Sequence, residues 1–244
     1  MVKKNTGVAF YGKVRIPTIG HRAAIDQAKD IAKSTGGRLT IGLSGTAEPL
    51  DLKTKKAHAE KVFGHPVETG VDHTKTLSSF LSHLHKNHDE LHLVAGSDRV
   101  EEYKAFLRKY NGIPDRSGKV PFNFKRWTVH AAGGERVESN KDPRKMKPEE
   151  LTSSVSASKL EKLAKDGNWE HFKAYHPGMP DSHVRKVYNQ IRKFHSLKEE
   201  IGLTFARSEM PQIGASKSFV NYLKQNDVSS VRKQVIPAGF KSSQ

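Results

Sequence analysis

The sequence predicts an α/β fold: a doubly wound parallel sheet with helices on both faces, followed by a C-terminal extension that is helical or extended. Three observations support this prediction. Short apolar segments typical of buried strands alternate with longer amphipathic segments along most of the chain. Strands that alternate with helices favour parallel pairing with right-handed crossovers. Residues 198–244 contain too few apolar side chains for a core of their own, so we divide the chain into a domain over residues 1–197 and an extension.

The first strand and the first helix are the most clearly marked elements. Residues 6–10 (TGVAF) are small and apolar, as in a buried strand. Pro17 disfavours helical conformation in the residue before it, so the chain turns before a helix can start. From Ile19 to Ile31 apolar residues recur at helical spacing. The N-terminus of a helix therefore follows the first strand after a tight turn.

The remaining elements follow in alternation. Further strands are predicted over residues 38–43, 90–97 and 124–132, of which 90–97 (ELHLVAGS) is the most strand-like. Clusters of glycine, proline and serine separate these strands from the helices. The predicted helices cover residues 52–63, 74–86, 100–110, 153–164 and 181–197.

The composition excludes several classes of function. The 244 residues include no cysteine, which excludes disulfides, thiolate zinc sites and thiol catalysis. No apolar run approaches the ~18 residues that a membrane span needs, and the first residues lack the apolar segment of a signal peptide. These features predict a cytoplasmic protein without a membrane partner. The net charge of +16 attracts polyanions, nucleotides and nucleic acids alike.

The turn after the first strand, residues 10–21 (FYGKVRIPTIGH), carries the residues best suited to bind phosphate. A helix N-terminus offers unpaired N–H groups and the positive end of the helix dipole. Gly20 has no Cβ, so the backbone there can approach a ligand closely. Thr18 adds a hydroxyl and Lys13 a positive charge. His21 adds a hydrogen-bond donor that can stabilise charge on a phosphoryl oxygen.

Residues 12–21 (GKVRIPTIGH) resemble the (H/T)xGH signature of the nucleotidylyltransferase superfamily. In that family the motif follows the first strand of a Rossmann-like sheet and holds the phosphates of a nucleoside triphosphate (NTP). The chain lacks the Gly-x-Gly-x-x-Gly pattern that is typical of dinucleotide-binding domains. The resemblance implies catalytic roles for His21, Thr18 and Lys13, and nucleotide-binding roles at the same turn for Tyr11, Gly12 and Gly20.

Residues 153–164 (SSVSASKLEKLA) resemble a second signature of the same family, Ile-Ser-x-Thr-x-x-Arg, which opens a late helix and holds the β- and γ-phosphates. The resemblance implies that Ser156, Ser158 and Lys159 bind the triphosphate. Glu161 stands where the family has arginine. The Ser158-x-x-Glu161 spacing is typical of a capping box, in which the glutamate accepts a hydrogen bond from the cap residue's N–H. Glu161 leaves two interpretations open, an active enzyme and a domain with weakened catalysis.

A further candidate lies after the strand at residues 90–97. Asp98 follows this strand directly, which puts it at the carboxyl edge of a parallel sheet, where open α/β sheets bind ligands. The resemblance assigns Asp98 and Arg99 to the acceptor side of the cleft. The alternative is that Asp98 caps the next helix.

Three histidines, His83, His85 and His88, follow one another closely at the end of a predicted helix. No carboxylate at ligand spacing accompanies them, and cationic side chains are favourable at a helix C-terminus. We therefore predict a solvated helix end and no metal held by protein side chains.

Residues 160–180 resemble a segment of phage-encoded nucleotidylyltransferase-like proteins, with a Gly-Asn-Trp turn between two helices. The helical spacing of Trp169, Phe172 and Tyr175 favours a place in the core over base stacking. A phage origin would locate the protein in the host cytoplasm or in the virion.

The resemblance as a whole implies a nucleotidylyltransferase. Such an enzyme transfers an NMP group from Mg²⁺-bound ATP or CTP to an acceptor that carries a phosphate, and releases pyrophosphate. The alternative is a catalytically weakened domain of the same fold that binds nucleic acid or has a structural role in a virion. The charge of +16, Glu161 and the extension, which offers a surface for oligomerisation, favour this alternative.

Overall fold

The computed structural model describes residues 5–45, 48–133, 137, 139 and 141–207, the last ten of these by their backbone. The chain divides into two units, Met1–His195 and Ser196–Gln244, and the contacts described below belong to the first. The extension beyond residue 207 lies outside the described residues. In the described part of the chain, every helix is too short or too polar to cross a bilayer.

One sheet of five parallel strands forms the centre of the first unit. The strands are β1 Thr6–Gly12, β2 Arg38–Leu43, β3 Glu68–Thr69, β4 Glu90–Gly96 and β5 Arg126–Ala132. Their order is β3-β2-β1-β4-β5, and each neighbouring pair is parallel. This is the predicted Rossmann-like doubly wound sheet.

Helices cover both faces of the sheet. They are α1 Ile19–Thr35, α2 Leu52–Phe63, α3 Leu77–His85, α4 Val100–Tyr110, α5 Pro148–Ser154, α6 Ala157–Lys165, α7 Trp169–Ala174 and α8 Asp181–Arg207. On one face the buried sides of α1 and α2 pack with Val8 and Ile41. On the other face α3 and α4 pack with Ala9 and Leu93. Alternate residues of β1 therefore serve two separate cores, as the two-residue period of a strand requires.

A third core joins the later helices to the turn after β1. Ile16 from that turn is fully buried together with Leu160 of α6, Phe172 of α7 and Ile191 of α8. Phe172 and the equally buried Tyr175 thus belong to the core, as their spacing predicts. The consequence for function is that the second signature is packed against the first.

The observed elements differ from the predicted ones in several places. The segment predicted as one helix over residues 153–164 is divided at Val155 and Ser156, because α5 ends at Ser154 and α6 begins at Ala157. The strand predicted from residue 124 begins at Arg126. β3 is absent from the prediction because a two-residue strand has no measurable period. The helix predicted from residue 74 begins at Leu77, since the hydroxyl of Thr76 accepts a hydrogen bond from the Ser79 N–H and caps it there. α8 continues to Arg207, past the predicted domain boundary at residue 197.

Candidate functional site

The turn after β1 lies where the strand order reverses. β1 has β2 on one side and β4 on the other, so the connections that leave β1 and β4 cover opposite faces of the sheet. Open α/β sheets bind ligands in the crevice that forms at the carboxyl edge at such a point. The turn at residues 13–18 and the short helix Ser97–Arg99 border this crevice.

Thr18 and His21 form a reciprocal cap at the N-terminus of α1. Thr18 is the cap residue, and its side-chain oxygen accepts a hydrogen bond from the His21 N–H at 3.4 Å. The ring of His21 folds back, so that its Nδ1 lies 3.2 Å from the Thr18 backbone N and 2.7 Å from the Thr18 Oγ1. The two signature residues are thus held together by the backbone geometry of the helix terminus.

This arrangement fixes the chemistry of the histidine ring. A backbone N–H can only donate, so Nδ1 of His21 is the acceptor of the bond from Thr18. The proton of the neutral ring then lies on Nε2. The Nε2 of His21 is therefore the donor of the ring, and His21 belongs to the first turn of α1, where the helix dipole stabilises an anion.

Gly20 brings the two signatures into contact. A Cβ at this position would lie 3.2 Å from the Thr152 carbonyl oxygen and 3.5 Å from Cγ1 of Val155. Val155 directly precedes Ser156, which caps α6. The lack of a side chain at Gly20 thus allows the start of α1 to pack against the residues that precede α6. In the sequence analysis the same feature suggested close approach to a ligand.

A larger residue at this position will separate the two helix ends. We expect Gly20→Val to lower the free energy of unfolding by about 1–3 kcal/mol, because its methyl groups meet the Thr152 backbone. Urea denaturation measures the effect, and Ala23→Val on the exposed side of the same helix is the matched control. Equal stability of the two variants would show that the Thr152 backbone can move to make room for the larger side chain.

Ser156 is the cap residue of α6, and the predicted capping box at Ser158 and Glu161 is wrong. The Ser156 Oγ accepts a hydrogen bond from the Lys159 N–H at 3.1 Å and lies 3.2 Å from the Ser158 Oγ. Glu161 is therefore two residues beyond the position from which it could reach back to the cap. Neither α1 nor α6 has an acidic residue in its first turn, so neither positive helix end is neutralised by its own side chains.

Glu161 is instead buried and paired with Arg15. The Arg15 Nη2 donates to the Glu161 Oε2 at 3.1 Å, and the side chains are 43% and 11% exposed. His195 of α8 also lies 3.6 Å from the same oxygen. The Glu161 carboxylate thus holds a guanidinium supplied by the turn after β1.

The Lys159 ammonium donates to the backbone oxygen of Ser139 at 3.0 Å and lies 5.3 Å from the centre of the Tyr175 ring. Its charge is therefore held beside the N-terminus of α6. A bound phosphate would compete for this ammonium with a neutral carbonyl, a weaker partner than an ionised group.

Lys55 is a charged residue of this region that the sequence analysis missed. It is fully buried on α2, and its Nζ donates to the Ser44 carbonyl oxygen at 3.0 Å, at the end of β2. Burial, and then the positive charge of Lys13, lower the pKa of Lys55 to about 8. A signal was present, since Lys55 shares its helix face with the buried Ala59 and Val62. Lys13 and Lys55 thus place two positive charges near the carboxyl ends of β1 and β2. Their mutual repulsion would be reduced by a bound anion.

A buried histidine, His58, is hydrogen-bonded to the backbone of the turn at residues 13–18. His58 donates from Nε2 to the Pro17 carbonyl oxygen at 3.1 Å, and its Nδ1 lies 3.2 Å from Nε2 of His183. His176 lies against it at 5.2 Å between ring centres and donates from Nδ1 to the Phe172 carbonyl oxygen at 2.8 Å. Burial lowers the pKa of both His58 and His176, and for His176 to about 4. The turn is thus anchored by rings that stay neutral.

Tyr11 and Gly12 lie at the end of β1 and differ in exposure. The Tyr11 ring is buried in the core, stacks on Phe80 at 5.1 Å and donates from its hydroxyl to the Thr74 carbonyl oxygen. Burial raises the pKa of Tyr11. At Gly12 a Cβ would make only ordinary contacts, the nearest at 3.5 Å. Gly12 therefore leaves room at the crevice, whereas the Tyr11 ring supports the sheet behind it.

Asp98 and Arg99 are exposed on the β4 side of the crevice. Arg99 bonds to Glu102 at 2.6 Å and lies 4.0 Å from Asp98, whose side chain is 80% exposed. The alternative role of Asp98 as the cap of α4 is not observed, because α4 is preceded by Arg99 and has no side-chain cap. Both side chains are accessible to a ligand in the crevice.

No protein-family model matches the chain, and no curated protein matches it either. The function must therefore be argued from the site itself.

Proposed function

We propose that the protein is a nucleotidylyltransferase, which transfers an NMP group from Mg²⁺-bound ATP or CTP to an acceptor that carries a phosphate. The observation that carries the proposal is the Thr18–His21 cap, which makes the His21 Nε2 the donor of the ring at the N-terminus of α1. The family resemblance of the two signatures and their packing at Gly20 support the same conclusion.

The reaction needs positioning and charge stabilisation more than covalent help from the protein. An oxygen of the acceptor phosphate attacks the α-phosphorus of the NTP, and the bond from that phosphorus to the bridging oxygen breaks. The electron pair leaves with pyrophosphate. In this proposal His21 donates to an α-phosphoryl oxygen on which charge develops, and Lys13 adds positive charge beside it.

The other site residues have matching roles in the proposal. The hydroxyls of Ser156 and Ser158 and the Lys159 ammonium bind the β- and γ-phosphates at the N-terminus of α6. Asp98 and Arg99 face the acceptor. Mg²⁺ prefers oxygen ligands and would enter with the phosphates that bind it. The ion would neutralise part of the charge of the triphosphate.

The proposal predicts NTP binding that depends on His21. We expect one NTP with Mg²⁺ to raise the thermal midpoint of the wild type, since a ligand at ~100 times its Kd adds about 2.7 kcal/mol of stability. In His21→Ala this shift should fall sharply, because the donor to the phosphate is lost. Pyrophosphate release with a panel of phosphate-bearing acceptors should fall by about 10²–10³-fold.

His65→Ala is the matched control, because His65 bonds only locally, to the carbonyl oxygen of Pro66. Equal shifts in His21→Ala and His65→Ala would exclude His21 from the site. If no NTP shifts the midpoint of the wild type, the proposed activity is wrong. The alternative would then be a domain that binds nucleic acid through its charge of +16. Its affinity for DNA or RNA should fall steeply as salt is added, because contacts to phosphates release counterions.

A further inference from the structure

Three side chains able to bind a metal ion meet beside the edge strand of the sheet. Glu68 comes from β3, His73 from the short helix Asp72–Thr74, and His83 from α3. One ligand atom from each lies within 4.8 Å of the other two. Within the described ranges no other group of three histidine or carboxylate side chains has this spacing. Three separate elements thus bring metal-binding atoms to one point.

The contacts among the three side chains are close. The Glu68 Oε2 lies 2.7 Å from the His73 Nε2. The rings of His73 and His83 stack at 3.9 Å between centres, with only 9° between their planes, so one ring must rotate out of the stack before both rings can bind the same ion. Glu68 is 40% and His73 30% exposed, so an ion can reach them from solvent and both side chains have room to adjust.

The surrounding residues hold the backbone of the cluster in place. The Tyr11 hydroxyl donates to the Thr74 carbonyl oxygen at 3.2 Å, and the Ser79 Oγ donates to the His73 carbonyl oxygen at 3.2 Å. Glu68 opens β3 and pairs with Gly42, which is next to the carboxyl end of β2. The two hydrogen bonds fix the backbone at His73 and Thr74, from which the His73 side chain extends.

We propose that Glu68, His73 and His83 bind a divalent transition-metal ion, with Zn²⁺ as the best fit. Two imidazole nitrogens and one carboxylate are a ligand set that zinc takes, at bond lengths of about 2.0–2.2 Å. Mg²⁺ and Ca²⁺ prefer all-oxygen ligands and fit less well. The ion would replace the hydrogen bond between Glu68 and His73. This proposal is independent of the proposed nucleotide chemistry.

Three protein ligands leave one coordination position of a tetrahedral ion open. An open pocket of about 380 Å³ adjoins the cluster and is lined by Asp72, His73, Ser79, Ser82, His83 and Lys86. This space is large enough for water or a small anionic ligand to occupy the fourth position. The Lys86 charge in the same wall favours an anion there and lowers the affinity of the site for the metal ion.

Zinc binding by the full chain, freed of metal with a chelator, tests the proposal by calorimetric titration. The wild type should bind one Zn²⁺ tightly, above the weak background of its 13 histidines. Loss of a residue that only hydrogen-bonds to a metal ligand lowers metal affinity by roughly 10–100-fold. His73→Ala and His83→Ala each remove a ligand, so each should lower the affinity for Zn²⁺ by more than this. His65→Ala, which removes a histidine elsewhere, should leave it unchanged.

A more conservative variant controls for the possibility that an alanine variant does not fold. Glu68→Gln preserves size and a hydrogen-bond acceptor for His73 but removes the charged ligand, so the protein should fold and bind zinc more weakly. Co²⁺ reports coordination directly, because its visible absorption changes when imidazole enters the coordination sphere. Absence of a tight site in the wild type, or an unchanged site in folded Glu68→Gln and His83→Ala, would overturn the proposal.

Discussion

Acidification from about pH 6.5 to about pH 4 is expected to destabilise the protein by about 3 kcal/mol through His176 alone. Burial lowers the pKa of His176 from 6.5 to about 4 in the folded state. Between these two pH values His176 is protonated in the unfolded chain and neutral in the folded chain. The free energy of unfolding therefore falls as the pH falls. Above this pH range both states are neutral, and below it both are protonated, so the loss stops growing.

The same buried cluster contains two more histidines whose pKa values are lowered. Burial and the neighbouring rings of His176 and His183 lower the pKa of His58, and burial followed by the charges of Lys61 and Lys186 lowers that of His183. The full effect of acid therefore exceeds that of His176. Protonation of His58 would add a proton to Nδ1, which lies 3.2 Å from the His183 Nε2, and would preserve the Nε2–H bond to the Pro17 carbonyl oxygen.

The test compares the pH dependence of urea unfolding in two variants. His176→Asn retains a donor for the Phe172 carbonyl oxygen but cannot titrate. Its stability should change less between pH 6.5 and pH 4 than that of the wild type, by up to the same ~3 kcal/mol. His65→Asn is the control at a site outside the cluster. A wild-type pH dependence in His176→Asn would show that His176 does not contribute to the acid sensitivity.

Loss of Arg15 is expected to cost more stability than loss of its partner Glu161. Arg15→Met leaves a carboxylate that is only 11% exposed without its guanidinium, with His195 at 3.6 Å as its remaining basic neighbour, and the loss of the bond costs about 1–3 kcal/mol. Glu161→Leu leaves the guanidinium of Arg15, which is 43% exposed and remains solvated. The double variant should regain most of the stability, because no buried charge is left unpaired.

A double-mutant cycle with urea unfolding measures this asymmetry. Lys13→Met is the matched control, since Lys13 is an exposed cation two positions away in the same turn, and it should stay within about 0.5 kcal/mol of the wild type. Arg15→Met as stable as Lys13→Met would contradict the assignment of Glu161 as a buried anchor. The cycle also separates structure from activity, because it needs no nucleotide.

Local pattern predicted most of the secondary structure. The bounds predicted for β2, α2 and α4 agree with the observed Arg38–Leu43, Leu52–Phe63 and Val100–Tyr110. These segments are bounded by glycine turns or polar caps, and their periodicity is set by neighbours in sequence. The parallel sheet followed from the alternation of strands and helices. The turn at Thr18 and His21 could be predicted for the same reason, because a helix cap is a local structure.

The partners of charged and aromatic groups depended on packing between distant segments. His83, His85 and His88 are neighbours in sequence, yet His83 stacks on His73, His85 lies against Phe124, and His88 packs against Gly7. The burial of His88 corrects the prediction of a solvated helix end. Successive helix positions point in different directions, so the spacing of histidines alone could not group them.

The sequence by itself determined the α/β class, the strand-to-helix turn of the first signature and the position of the second. Only the tertiary structure decided that Gly20 joins them, that Glu161 pairs with Arg15, and that Glu68 meets His73 and His83. Periodicity and capping are properties of a few consecutive residues. The pairing of a buried charge depends on which surfaces come together when helices pack on the sheet, and no local pattern records that choice.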